Sequence, residues 1–205
     1  MNILESRWYR ALEVCANFLY LNLLWLVCSI PVITFPASTA AMFGVVREWV
    51  KGREPGVTGS FFSFFRENFR QSTWIGFLWA LVGVILAVDF AVVRGMGSPV
   101  SEILYVVLFV VCFLYVFTLV YIFPVIVNFE ARWPLVIRNA LLFSMTGPLV
   151  TFACLLVLIL AAAAFVFFPL SIFVSGSVGS YLVYRLCERT FKKAERIRGR
   201  DGEDR

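Results

Sequence analysis

The sequence has no histidine. That absence removes serine-histidine-aspartate triads, cysteine-histidine dyads, HExxH zinc sites and histidine proton relays together. Charge is also scarce, at 15% of residues, where a soluble domain carries about 25%. Cysteine is present five times, as Cys15, Cys28, Cys112, Cys154 and Cys187. The spacings hold no CxxC pair and no disulfide framework, so these residues read as small apolar packing groups. No paired acids stand within reach of one another in an apolar segment. No catalytic residue, no cofactor site and no metal site follows from these patterns, and the chain is expected not to be an enzyme.

What remains is apolar. Hydrophobic residues make up 61% of the 205, and the mean hydropathy is +0.88. A water-soluble chain of this size could not bury so much apolar surface. The reading is all-α: a polytopic membrane helical bundle with about six crossings, one of them short or re-entrant, plus short amphipathic cytoplasmic helices. It forms one transmembrane domain over 1–188, followed by a charged cytoplasmic tail over 189–205. A crossing needs about 20 apolar residues. The runs 11–35, 73–93, 103–129 and 147–168 satisfy that, 171–187 is just long enough, and 37–50 is short. Glu13 and the length of the first run argue against a cleaved signal peptide.

Lys and Arg concentrate on the cytoplasmic side of membrane proteins. With 37–50 counted as a crossing, every basic residue except Arg94 falls on one side, and both termini are cytoplasmic. Without it, Arg7 and Arg10 would lie outside. The same bias accounts for the isoelectric point near 9.1, so no nucleic-acid partner is invoked. Trp8, Trp49, Trp74 and Trp133 fall at the expected inner boundaries, as an aromatic belt requires.

Between the second and third crossings, Gly52, Pro55, Gly56 and Gly59 break any helix. Phe61, Phe62, Phe65 and Phe69 then fall at helical spacing on one face, with Arg66, Glu67, Asn68 and Arg70 toward the other. This predicts an amphipathic interfacial helix over 58–70. It either paves the inner leaflet or docks a cytoplasmic partner. Trp133-Pro134 starts a second short helix, with proline at the favoured first position. Arg66 to Ser72 and Arg138 to Ser144 share a spacing, which points to a weak internal repeat.

Polar groups at membrane depth are functional candidates. Asp89 is one, either paired with Arg94 at the outer interface or in contact with a solute. Asn22 and Ser29, seven residues apart, share a helix face and serve either interhelical hydrogen bonding or a solute path. Ser171, Ser175 and Gly179 form a small-residue stripe that permits close helix contact, within the bundle or with a second copy.

Four runs carry a resemblance: NLLW (Asn22–Trp25), FPASTAAMFGVVREWVKG (Phe35–Gly52), FFSFFRENFRQS (Phe61–Ser72) and YIFPVIVNFE (Tyr121–Glu130). Together they resemble the YesL-like family of bacterial membrane proteins, also labelled a domain of unknown function. The resemblance implies a multi-pass protein of the bacterial cytoplasmic membrane, with no catalytic residues to carry over. Members are often encoded beside sugar-uptake ABC importers and polysaccharide-degrading enzymes. The expected partners are therefore the lipid bilayer and ABC transporter subunits, or a second copy of the chain. The expected role is accessory to a carbohydrate importer. The alternative is an autonomous small-solute transporter or channel acting as a homo-oligomer.

Overall fold

The structure is a computed structural model that describes residues 3–96, 99–129 and 131–203. Met1, Asn2, part of the 94–102 loop, Glu130 of the YIFPVIVNFE run and Arg205 of the tail lie outside the described residues. Among the described residues seven α-helices follow in order: α1 Ile3–Ser29, α2 Phe35–Val50, α3 Val57–Gly95, α4 Pro99–Asn128, α5 Trp133–Thr146, α6 Pro148–Phe167 and α7 Ile172–Glu203. Among the described residues five stretches are long and apolar enough to cross a membrane: Trp8–Ser29, Val57–Gly95, Ser101–Asn128, Pro148–Phe167 and Pro169–Ala194. The protein is a membrane helical bundle.

The first apolar run is divided. Pro31 cannot donate the backbone hydrogen bond that would continue α1, and a 3-10 turn spans Val32–Thr34. The Thr34 hydroxyl closes the corner by donating to the carbonyls of Cys28 at 2.6 Å and Pro31 at 2.7 Å. Pro36 then sits in the first turn of α2, where no amide is missed. The chain reverses here, so α2 starts at Phe35, and 30–34 is corner rather than crossing.

At 16 residues, α2 rises about 24 Å. It is the central element: Ala37 through Val46 are all buried. Helices α1, α3, α4 and α7 surround it. Small residues allow this. A Cβ placed on Gly76 of α3 would lie 2.4 Å from Pro36 Cγ, so the glycine leaves the room that the proline ring of α2 fills.

The expected boundary between an interfacial helix over 58–70 and a crossing over 73–93 is absent. Helix α3 runs 39 residues without a break. Its polar residues satisfy themselves inside the helix: Ser72 Oγ donates to the Asn68 carbonyl at 2.6 Å, and Asn68 Nδ2 to the Phe64 carbonyl at 3.0 Å. The corresponding second short helix does end. Gly147 leaves helical geometry at φ −133°, ψ 60°, and Pro148 lacks the amide that Ser144 would otherwise receive. The Thr151 hydroxyl takes the freed Ser144 carbonyl at 3.1 Å. Helix α7 continues beyond the predicted crossing, through most of the tail, to Glu203.

Candidate functional site

One end of the bundle gathers the basic residues that follow the apolar part of α2, and we call it the basic end. Arg47 and Glu48 lie in the last turn of α2, Lys51 caps it, and Arg53 stands in the loop to α3. Arg47 joins three helices. Its guanidinium pairs with Glu48 at 3.0 Å, lies 5.2 Å from the centre of the Phe64 ring on α3, and donates to the Val127 carbonyl at the end of α4. That carbonyl belongs to the last turn of α4, whose carbonyls have no partner within the helix.

Glu48 is buried and paired twice, its second oxygen 2.9 Å from Arg53. Burial works to raise its carboxyl. The hydrogen bonds and charges of Arg53 and Arg47 outweigh burial and hold it below the usual carboxylate value. Burial, and after it the Arg47 charge, lowers the Lys51 ammonium. Asn128 Oδ1 accepts from Lys51 Nζ at 3.3 Å and from the Tyr184 hydroxyl at 3.1 Å, tying α4 to α7. Gln71 Nε2 donates to the Ala131 carbonyl at 2.6 Å. A cleft of about 430 Å³ opens beside Arg47, Asn68, Gln71 and Asn128. The network can hold α2, α3, α4 and α7 in register. Among the described residues no group of three or more acids or cysteines could hold a metal ion.

The residues singled out from sequence are dispersed. Phe61 is fully buried in the core and Phe65 is half-buried against it, stacked at 6.3 Å. Arg66 and Arg70 are exposed, as are Phe62 and Phe69. The open face of α3 is therefore Phe62, Arg66, Phe69 and Arg70, one residue out of register with the Phe61–Phe65 stripe.

Asn22 is fully buried and clamps α1 to the start of α7. Its Nδ2 donates to the Ile172 carbonyl, and its Oδ1 accepts the Ser177 amide at 3.0 Å. Gly176 makes the room, since a Cβ there would fall 2.4 Å from Asn22 Oδ1. Ser29 does not join Asn22 in this; its hydroxyl is buried without a hydrogen-bond partner, as is that of Ser171. Gly179 packs toward Ala161 of α6, and Ser175 lines a cleft between α6 and α7 with it. Asp89 is exposed on α3 and lines none of these clefts.

Sequence reasoning passed over Glu48, Asn128 and Tyr184. The signal was present for two of them. Arg47-Glu48 and Asn128 lie inside the runs that carried the family resemblance, and a charged pair ending a small-residue helix marks a place where helices are tied.

The family described as "Protein of unknown function, DUF624" matches residues 18–90, which contain α2 and most of α3. The chain is similar to "Uncharacterized protein YteU" of Bacillus subtilis (strain 168), 29% identical over 202 residues covering 95% of this chain and 89% of that one. It is similar to "Uncharacterized protein YesL" of the same organism, 29% identical over 187 residues covering 86% and 85%. "Uncharacterized protein YesV" aligns at 26% identity over 73% of each chain. No solved structure matches. These similarities bear out the resemblance carried by Phe35–Gly52 and Phe61–Ser72: over residues 18–90 the chain is similar to the DUF624 family to which that resemblance pointed.

Proposed function

We propose that this protein is a non-catalytic, accessory component of an assembly in the bacterial cytoplasmic membrane. In this reading both termini are cytoplasmic, and the basic end faces the cytoplasm. The distribution of Lys and Arg supports that orientation. The partner class is the membrane subunits of an ABC importer for carbohydrates, the class that the family resemblance implies.

The observation that carries the reading is the burial of α2. The axis of the bundle is filled by Ala40, Ala41, Val45 and Val46, each fully buried, and a close-packed helix leaves no room along that axis for a solute. Polar groups instead collect at the basic end, where they hold helices together. Beside them α3 exposes Phe62, Arg66, Phe69 and Arg70, a mixed apolar and cationic face of the kind enriched at interfaces.

The experiment is affinity purification from native membranes in mild detergent, with identification of co-eluting chains. Permease subunits are expected in stoichiometric amount. Arg66→Glu with Arg70→Glu is expected to release them and leave the thermal unfolding of the purified chain unchanged, because both side chains are exposed. Recovery of the chain alone would sink the accessory reading and favour a homo-oligomeric transporter.

A further inference from the structure

At the basic end, on the α1 side, lies a second cleft of about 560 Å³ between α1, the loop that follows α2, and α7. Three aromatic rings wall it. Phe18 meets Trp49 at 4.9 Å and Tyr181 at 5.5 Å between ring centres. Glu13, Asn17 and Glu54 line the same space. Among the described residues, neither glutamate has an ion pair. Among the described residues, the Asn17 amide, the Trp49 indole nitrogen and the Tyr181 hydroxyl likewise have no hydrogen-bond partner within the chain. Five residues with polar groups thus line one cleft without a partner inside the chain, next in sequence to Glu48, which has two arginines.

The chemistry selects the ligand. Aromatic faces and carboxylates both attract cations, and two carboxylates repel anions. Asn17 and the tyrosine hydroxyl supply further acceptors. Position selects the source. Glu13 lies on the stretch Trp8–Ser29, which is apolar enough to cross a membrane. An acidic side chain on such a stretch is a functional candidate. The outer surface of α1 exposes Leu12, Leu19 and Tyr20, a face that acyl chains cover in a bilayer, and the cleft sits toward the end of that face. Arg53, the basic residue beside Glu54 in sequence, is engaged by Glu48.

We propose that this cleft binds the primary ammonium of an aminophospholipid headgroup, held between Glu13 and Glu54 against the Phe18–Trp49–Tyr181 wall. The site does not depend on any protein partner, so its test uses the purified full chain alone.

The chain is delipidated in mild detergent and titrated with dioctanoyl phosphatidylethanolamine or dioctanoyl phosphatidylglycerol, with bound lipid counted by native mass spectrometry. Wild type is expected to bind the ethanolamine lipid about tenfold more tightly, the scale of a cation held by aromatic faces and a charge pair. Glu13→Gln with Glu54→Gln is expected to erase the preference. Both side chains are exposed, so the fold is retained, and an unchanged melting temperature verifies it. Glu67→Gln, an exposed glutamate outside this cleft, is expected to keep the preference. Equal binding of the two lipids by wild type, or an undiminished preference in the double variant, overturns the proposal. Displacement of the bound lipid by free ethanolamine at equal concentration overturns the lipid assignment in favour of a soluble amine.

Discussion

Helices α2 and α6 invert the ordinary relation between hydropathy and burial. Helix α6 is built from Leu, Val, Ile, Ala and Phe, and its fully buried residues are Thr151 and Cys154. Leu149, Leu156, Ile159 and Leu160 are exposed. Helix α2 carries Ser, Thr, Gly, Arg and Glu, yet 11 of its 16 residues are buried. Lipid tails are as apolar as leucine, so no hydrophobic force sorts large side chains inward once the chain is in the bilayer. Close packing and hydrogen bonding do the sorting. In these two helices small and polar residues go inside, and most leucines of α6 face outward.

The largest loss is expected from bulk placed where α2 meets α3. Gly76→Val adds a Cβ 2.4 Å from a proline ring that cannot turn aside. The expected loss is roughly 3 kcal/mol or more, the upper end of overpacking effects, read as a fall in melting temperature and in yield of monodisperse protein. The matched change on α6, Ala162→Val at an exposed site, is expected to alter stability by less than about 0.5 kcal/mol. Comparable effects at the two positions would mean that α2 is not the packed axis.

Glu48 probes the polar end of α2. Glu48→Gln leaves Arg47 without its anion and costs roughly 1–3 kcal/mol, less than a wholly buried pair because Arg53 is exposed. The sign with pH follows from the lowered carboxyl. A group whose folded pKa lies below its unfolded value contributes in full above the unfolded value, near 4.5, and loses that contribution as pH falls through the folded one. Wild type is therefore expected to lose stability below about pH 4.5, and the variant to show a shallower decline. A scan of melting temperature against pH separates the two curves, and parallel curves would remove Glu48 from the account.

Asn22 tests whether polar clamping extends to the other helices. Asn22→Ala leaves the Ser177 amide without its acceptor and the Ile172 carbonyl without its donor. It is expected to lower stability by about 1–2 kcal/mol, the range of interhelical bonds in membranes. Ser29→Ala, which removes an unpartnered hydroxyl, is expected to be neutral or slightly stabilising. The pair distinguishes a specific clamp from general sensitivity of the α1–α7 seam.

The same inversion explains what was legible in the sequence. Lipid-facing helices announce themselves by length and hydropathy, so the long runs stand out, and charge bias orders their ends. Helix α2 does not announce itself, because a shielded helix needs neither length nor leucine, and 37–50 reads as ambiguous. The stripe Phe61, Phe65 and Phe69 is visible as a period, but its buried side cannot be told from an exposed one when α3 continues unbroken through Ser72. The network around Arg47 and Glu48 spans α2, α3, α4 and α7, and the contacts of Arg47 with Val127 and of Asn128 with Tyr184 are 80 and 56 residues apart. No local pattern encodes such pairings. Asn22 fared better, since an asparagine inside an apolar helix has few uses other than reaching a neighbouring helix.

The smallest expected effect is the most diagnostic of the lipid-facing side. Leu160 on α6 is 59% exposed, and in water its truncation would remove surface that a soluble fold exposes at little consequence. In a bilayer, Leu160→Ala exchanges contacts with acyl chains for other contacts with acyl chains, and no cavity forms because lipid fills the space. Stability is expected to change by less than about 0.5 kcal/mol, in detergent and in lipid nanodiscs alike. A buried leucine gives the contrast. Leu21 of α1 is fully buried, and Leu21→Ala is expected to cost about 2–4 kcal/mol through the cavity it leaves. Should Leu160→Ala prove as damaging as Leu21→Ala in nanodiscs, α6 would be packed against a second protein surface there, and the exposed face of this helix would be an interface between copies of the chain.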